Sequence, residues 1–193
     1  MIAIIDYGAG NLKSVKNTLD YLGVASVITD KISDISKANK IILPGDGSFG
    51  YMMENLEKKG LVKPLKDFIK SNKKFLGICL GLQGLFEESE ESPNVKGLSI
   101  FKGKVVKFRK GKVPQIGWNT IISKKKNIFK DDYMYFVNSY YVIPKDESIV
   151  AAVTDYKGAF VSAIQSNNIT AMQFHPEKSG KAGIKLIKRW LKC

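Results

Sequence analysis

The sequence predicts an α/β fold, a mostly parallel central sheet flanked by helices with an antiparallel second half. Three observations carry this. In the first half, short apolar runs alternate with segments whose apolar residues recur at three- and four-residue spacing. That β-α-β-α order builds a parallel sheet covered on both faces. In the second half, strand-like segments succeed one another through polar turns, the order of antiparallel pairing. No repeat, low-complexity stretch or linker divides the 193 residues. At about 100–200 residues per domain, 1–193 is read as one domain.

Residues 1–6 form an apolar run ending in Asp6, and Tyr7-Gly8-Ala9-Gly10-Asn11 breaks it. Leu12, Val15, Leu19 and Leu22 then recur at helical spacing until Gly23 stops them. A second strand is expected over 24–28 and a third over Lys40–Leu43, closed by Pro44-Gly45. Amphipathic helices are expected at 49–58 and 61–71, separated by Gly60. Residues 75–78 make a fourth apolar strand, and helix is expected again after Cys79. Beyond it, 98–108, 113–122, 133–143 and 148–155 are strand-like. Segments 159–165 and 169–174 flank Ser166-Asn167-Asn168, a hairpin turn. A last helix over 180–192 carries Ile184, Leu186, Ile187, Trp190 and Leu191.

Composition narrows the class. Hydrophobic residues make up 44% and charged residues 25%, which describes a globular protein and not a disordered one. The net charge of +13 raises the question of nucleic acid. Yet Arg109 and Arg189 are the only arginines, and the lysines are scattered, with Lys124-Lys125-Lys126 the longest run. Bidentate reading of bases and phosphates favours arginine, so a lysine-rich solvated surface is expected and no nucleic-acid partner. No basic stretch leads into an apolar one, so no signal peptide is read. No apolar run approaches the roughly 18 residues of a membrane span. Cys79 and Cys193 are the two cysteines; they form neither a disulfide framework nor a metal cluster, and a reducing cytoplasm is the expected compartment.

Cys79 is the first candidate for chemistry. Gly77-Ile78-Cys79-Leu80-Gly81 follows an apolar strand and precedes a helical stretch, the G-x-nucleophile-x-G elbow with cysteine in the place of serine. A lone free cysteine is ordinarily buried and structural; the flanking glycines argue otherwise here. A helix beginning at the sulfur would favour the thiolate. A thiol also needs a base near neutral pH. The single histidine, His175, lies in Gln173-Phe174-His175-Pro176-Glu177. A lone histidine is more often a surface or core residue, but Glu177, two positions on, can orient the imidazole and stabilise its cation. A rival pattern is Gly45-Asp46-Gly47-Ser48-Phe49-Gly50, which fits G-x-G-x-x-G with Asp67 downstream. It does not occupy the first strand–helix turn, where Gly8-Ala9-Gly10 is followed by Lys13. No dinucleotide, no metal and no other cofactor is expected.

With these residues assembled, the chain resembles the class I (triad) glutamine amidotransferases. The match includes Asp6-Tyr7-Gly8-Ala9-Gly10-Asn11, Leu43-Pro44-Gly45, Gly117-Trp118-Asn119, Ser139-Tyr140 and Gln173-Phe174-His175-Pro176-Glu177-Lys178-Ser179. Within that family these motifs are similar to the glutaminase subunits of imidazole glycerol phosphate synthase. The resemblance implies that Cys79 attacks L-glutamine with His175 as acid and base and Glu177 as orienter. It implies oxyanion donors at Leu80 and in Gly45-Asp46-Gly47, and contacts to the amino-acid end of glutamine from Gln83, Glu91, Ser139 and Tyr140. It implies a heterodimer in which ammonia passes to a cyclase of histidine biosynthesis; the alternative is a synthetase that modifies a surface-polysaccharide sugar. As the chain ends soon after its last helix, the ammonia is expected to be used on another chain. Tyr7, Asn11, Trp118 and Asn119 are expected at the partner surface. Two residues depart from the family. Asp46 stands where valine is common, and its carboxylate is expected to point away from the oxyanion or toward a cation. Asn138 stands where histidine is frequent.

Overall fold

The computed structural model describes residues 1–125 and 128–193, so Lys126 of the lysine run lies outside the described residues. The first half alternates β1 (Ile2–Ile5), α1 (Leu12–Tyr21), β2 (Ser26–Thr29), α2 (Ile32–Lys37), β3 (Lys40–Leu43), α3 (Phe49–Lys58), α4 (Val62–Lys70) and β4 (Lys74–Ile78). After the four-residue α5 (Leu80–Gln83) come β5 (Glu88–Ser89), β6 (Gly103–Lys107), β7 (Gln115–Ser123), β8 (Asp132–Asn138), β9 (Tyr140–Pro144), β10 (Val150–Asp155), β11 (Ala159–Ser166) and β12 (Ile169–Met172). The last helix is α6 (Gly180–Lys192).

The sheet runs β2-β1-β3-β4-β12-β11-β10-β7-β8, and β5, β6 and β9 branch from it at β11. From β2 through β12 the neighbours are parallel. From β12 onward the main path is antiparallel. β12 is the hinge between the two regimes. It reaches β4 as a parallel neighbour although it is near the C-terminus, and it is joined to β11 by a two-residue turn with Asn167 at φ 48°.

Both faces of the parallel half are covered, as the near-continuous apolar strands require. Alternation in β1 puts Ala3 and Ile5 with Phe49, Met52, Leu56, Leu65 and Phe68 of α3 and α4. Ile2 and Ile4 face the other way, with Val15 and Leu19 of α1 and Leu186 and Trp190 of α6. The helices therefore bury stripes set by their own periodicity.

The structure departs from the sequence reading in three places. Segment 133–143 is two strands, because at Ser139 the chain leaves β7 and begins pairing with β6 and β11. Period-two alternation continues through the change of partner, so the sequence pattern does not register it. The helix after Cys79 is a single turn, and Gly84 accepts from the Leu98 N–H as the chain turns away. Of the 98–108 segment only Gly103–Lys107 is strand. α2 and β5 are too short for their periodicity to be read in the sequence.

Candidate active site

Strands β3, β4 and β12 lie side by side, with Leu43 opposite Gly77 and Ile78 opposite Met172. Their carboxyl ends thus open at one place, where open α/β sheets bind ligands. The segments leaving those ends carry Gly45-Asp46-Gly47, Cys79 and His175. Residues far apart in sequence are neighbours because the strands that deliver them are.

Cys79 has φ 54° and ψ −108°, a left-handed conformation that strains a non-glycine residue by about 1–3 kcal/mol. The Cys79 N–H donates to Met172 O at 2.8 Å, pinning the elbow to β12. The glycines are steric requirements. A side chain at Gly77 would overlap the Gly81 carbonyl, one at Gly81 the Leu43 carbonyl, and one at Gly45 the Leu80 side chain. Because α5 has only four residues, its dipole is too small to carry thiolate stabilisation. Three other groups face the sulfur: Gln173 Nε2 donates to Sγ at 3.5 Å, His175 is hydrogen-bonded to it, and Sγ lies 3.9 Å from the Val137 carbonyl.

His175 follows β12 in extended conformation, and its N–H donates to Tyr135 O at 2.9 Å. Pro176–Lys178 form a 3-10 turn that brings Glu177 back over the ring, with Nδ1 2.8 Å from Glu177 Oε1. Ser179 braces the turn by donating from Oγ to His175 O at 2.6 Å and accepting from Tyr135 N at 2.9 Å. Imidazole and carboxylate are both buried. Burial by itself lowers the His175 pKa, but hydrogen bonds and charge attraction from Cys79 and Glu177 exceed it and raise the value to about 10. A protonated imidazole held between Cys79 and Glu177 is the form this geometry favours.

The Gly45–Gly47 loop differs. Asp46 and Gly47 are exposed. Tyr7 Oη accepts from the Asp46 N–H at 3.1 Å and donates to Asp46 O at 3.3 Å, while Asp46 Oδ1 accepts from the Gly47 N–H at 2.9 Å. The Asp46 carboxylate, expected to point away from the oxyanion or toward a cation, lies on its neighbour's amide. Both amides are thereby engaged by the protein's own groups. The Leu80 N–H opens α5, where no intrahelical acceptor exists for it.

A cavity of about 210 Å³ adjoins these groups, lined by Asp46, Gly47, Cys79, Leu80, Gln83, Glu91, Pro114, Val137, Asn138, Ser139 and Tyr140. It gathers all the expected substrate residues and the expected donors except Gly45, which is buried beneath the loop. Gln83 is 3% exposed and Glu91 accepts from the Phe49 N–H at 2.7 Å. A larger cleft of about 530 Å³, between Glu88–Glu90 and Lys104–Arg109, shares only Tyr140 with it.

The expected partner-surface residues divide. Trp118 is 56% exposed on β7, beside exposed Ile116 and Tyr133, and packs edge-on against Tyr135. Asn11 and Asn119 are half-buried, and Asn119 Nδ2 donates to Asp155 O at 2.9 Å. Tyr7 is corrected: at 0% exposure it offers no docking surface. The apolar strand before it carries the ring inward, and burial raises its hydroxyl above the usual phenol range, so it stays protonated. Gln173 was missed as a functional candidate. Its signal was its place two residues before the only histidine, at the end of an apolar strand. In the rival dinucleotide pattern, Asp67 pairs with Lys63 on the outside of α4, and Gly50 lies within α3 against Ser92. Among the described residues no group of three or more His, Cys, Asp or Glu is placed to hold a metal, and no helix is long and apolar enough to cross a membrane.

The model of the glutamine amidotransferase class-I family matches residues 3–192. The chain belongs to this family. Its relatives include the imidazole glycerol phosphate synthase subunit HisH of Pyrococcus furiosus, 47% identical over 98% of this chain and 97% of the relative. The subunit of the same name from Chlorobaculum tepidum is 45% identical over 98% of each. A crystal structure of a glutamine amidotransferase superposes over 100% of this chain and 98% of its own, with TM-score 0.82 at 16% identity. At that identity the likeness speaks to the fold alone: a mixed sheet between helices.

Proposed function

We propose that residues 1–193 form one glutaminase domain, the subunit of an imidazole glycerol phosphate synthase that releases ammonia from L-glutamine for a cyclase subunit. The observation that supports it most is the meeting of Cys79, His175 and Glu177 beside a small cavity, in a chain about 45% identical over its length to subunits of that name.

Cys79 thiolate attacks the side-chain carboxamide carbon of glutamine. The tetrahedral oxyanion takes the Leu80 N–H and a second N–H from the Gly45–Gly47 loop. His175, protonated beside Cys79, gives its proton to the nitrogen as the C–N bond breaks, and ammonia leaves a thioester. Neutral His175 then takes a proton from water, whose oxygen attacks the thioester carbonyl. The C–S bond breaks, glutamate departs, and the thiolate–imidazolium pair is restored. Such acid–base assistance contributes about 10²–10⁴-fold.

The loop links hydrolysis to assembly. With its N–H groups held by Tyr7 and Asp46, the second oxyanion donor is withheld. Docking over the face of Trp118, Ile116 and Tyr133 supplies the contacts that turn a peptide of the loop. Glycine at 45 and 47 makes that turn inexpensive. One oxyanion donor is worth about 10²–10³ in rate.

The test is steady-state glutamate release by the chain alone, with the cyclase, and with the cyclase and its ribonucleotide acceptor. Strong acceleration only in the complete assembly is expected, and Trp118→Ala should weaken docking, since exposed tryptophans anchor interfaces. Equal rates in all three would remove the coupling. Activation by a sugar-modifying synthetase, without cyclase binding, would move the chain to that class.

A further inference from the structure

Besides His175, the Cys79 sulfur meets two polar groups: the Val137 carbonyl, an acceptor at 3.9 Å, and Gln173, the nearer of the two. Gln173, at 0% exposure, directs Nε2 to Sγ at 3.5 Å. At this distance the contact depends on which end of the carboxamide faces the sulfur, and amide orientation must be read from the network. The network fixes it. Gln83 stands 3.3 Å from the Tyr140 carbonyl, an acceptor, so the Gln83 atom there is its NH₂. The same NH₂ lies 3.0 Å from the Gln173 side chain, which must present oxygen to it. The remaining end of Gln173, its NH₂, therefore faces the sulfur. Asn138 Nδ2 donates to the same Tyr140 carbonyl at 3.0 Å, steadying the start of the chain.

We propose that Gln173 is a catalytic residue that donates an N–H to the Cys79 thiolate, oriented by a relay from the Tyr140 carbonyl through Gln83. The inference rests on Cys79 being the nucleophile. A hydrogen bond to the ionised form of a group favours that form. In a buried site it also fixes the sulfur toward the cavity without supplying a charge. That leaves His175 free to hand over its proton when ammonia departs, while Gln173, which has no labile proton near neutral pH, keeps its place through the cycle. Gln83 is a positioning residue in this scheme, in addition to lining the cavity.

The experiment follows Cys79 itself. In a Cys193→Ser background, which removes the exposed second thiol, the rate of iodoacetamide alkylation is measured against pH for the full chain with Gln, Met or Glu at position 173. Gln173→Met keeps size and loses the donor. Its alkylation midpoint should rise by about one pH unit, and kcat/KM for glutamine should fall about tenfold, mostly in kcat. Gln173→Glu keeps the acceptor for Gln83 and places a carboxylate at the sulfur, so its midpoint should rise further. Thermal melts and partner binding of both variants separate these effects from misfolding; if Gln173→Met does not fold, the Glu variant decides. Midpoints equal to that of Gln, with any activity loss tracking only the melting temperature, would overturn the proposal. Glutamate release persisting in Cys79→Ser would instead overturn the nucleophile on which it rests.

Discussion

The two sides of the candidate site are built in opposite ways. The side chains of Cys79, His175 and Glu177 are buried and fixed by neighbours: Cys79 by Met172 and Gln173, His175 by Tyr135, Ser179 and Glu177, and Glu177 by His175. The Gly45–Gly47 loop is exposed at Asp46 and Gly47, and its amides are bonded to the protein's own groups. In the proposed reaction, proton transfer would thus be prepared within the core and charge stabilisation left on the surface, within reach of the proposed partner. A subunit that must not release ammonia alone is served by this division. Its chemistry is permanently assembled while one contribution to the barrier depends on a loop held by a few weak bonds. Tyr7, buried in the core, ties the loop to it by accepting from the Asp46 N–H and donating to the Asp46 carbonyl.

The comparison can be broken at its strongest point. Cys79→Ser and His175→Asn should each lower glutamate release by more than about 10³-fold, because members of such a unit fail together. Retention of a tenth of the activity in either would show that the buried side does not carry the reaction. Glu177→Gln keeps the Nδ1 contact but loses the charge beside the imidazole. Its effect should be smaller, about 10²-fold in kcat, and a loss exceeding that of His175→Asn would reverse the roles.

The exposed side predicts a gain. Asp46→Ala removes the acceptor that holds the Gly47 N–H. A hydrogen bond of this kind is worth about 1 kcal/mol, so partner-free glutamate release should rise by roughly five- to tenfold with little change in the assembled rate. A fall in both rates would mean the carboxylate supports the active loop instead of restraining it.

A last expected effect is on stability. His175 has its pKa raised in the folded chain to about 10, against about 6.5 when unfolded. The stabilisation carried by the protonated imidazole is lost as pH rises through about 10. The melting-temperature advantage of the wild type over His175→Asn should therefore decline as pH rises from about 8.5 toward 10. An advantage that grew with pH would mean the imidazole is buried neutral.

The sequence by itself determined the alternation of strands and helices in the first half, the hairpin at Asn167-Asn168 and the candidates for nucleophile and base. These rest on local periodicity, on turn chemistry and on there being one histidine and one cysteine between glycines. Only the tertiary structure decided what faces what. Placing β12 between β4 and β11 is a long-range choice, and it sets His175 beside Cys79. The break at Ser139 came from a change of strand partner that leaves alternation intact. Tyr7 was misplaced on the surface because a motif does not state which way its ring turns, and here the sheet turned it inward. Gln173 was passed over because a glutamine is unremarked in a sequence; it becomes chemical only when a second glutamine and a backbone carbonyl fix which end of it meets the sulfur.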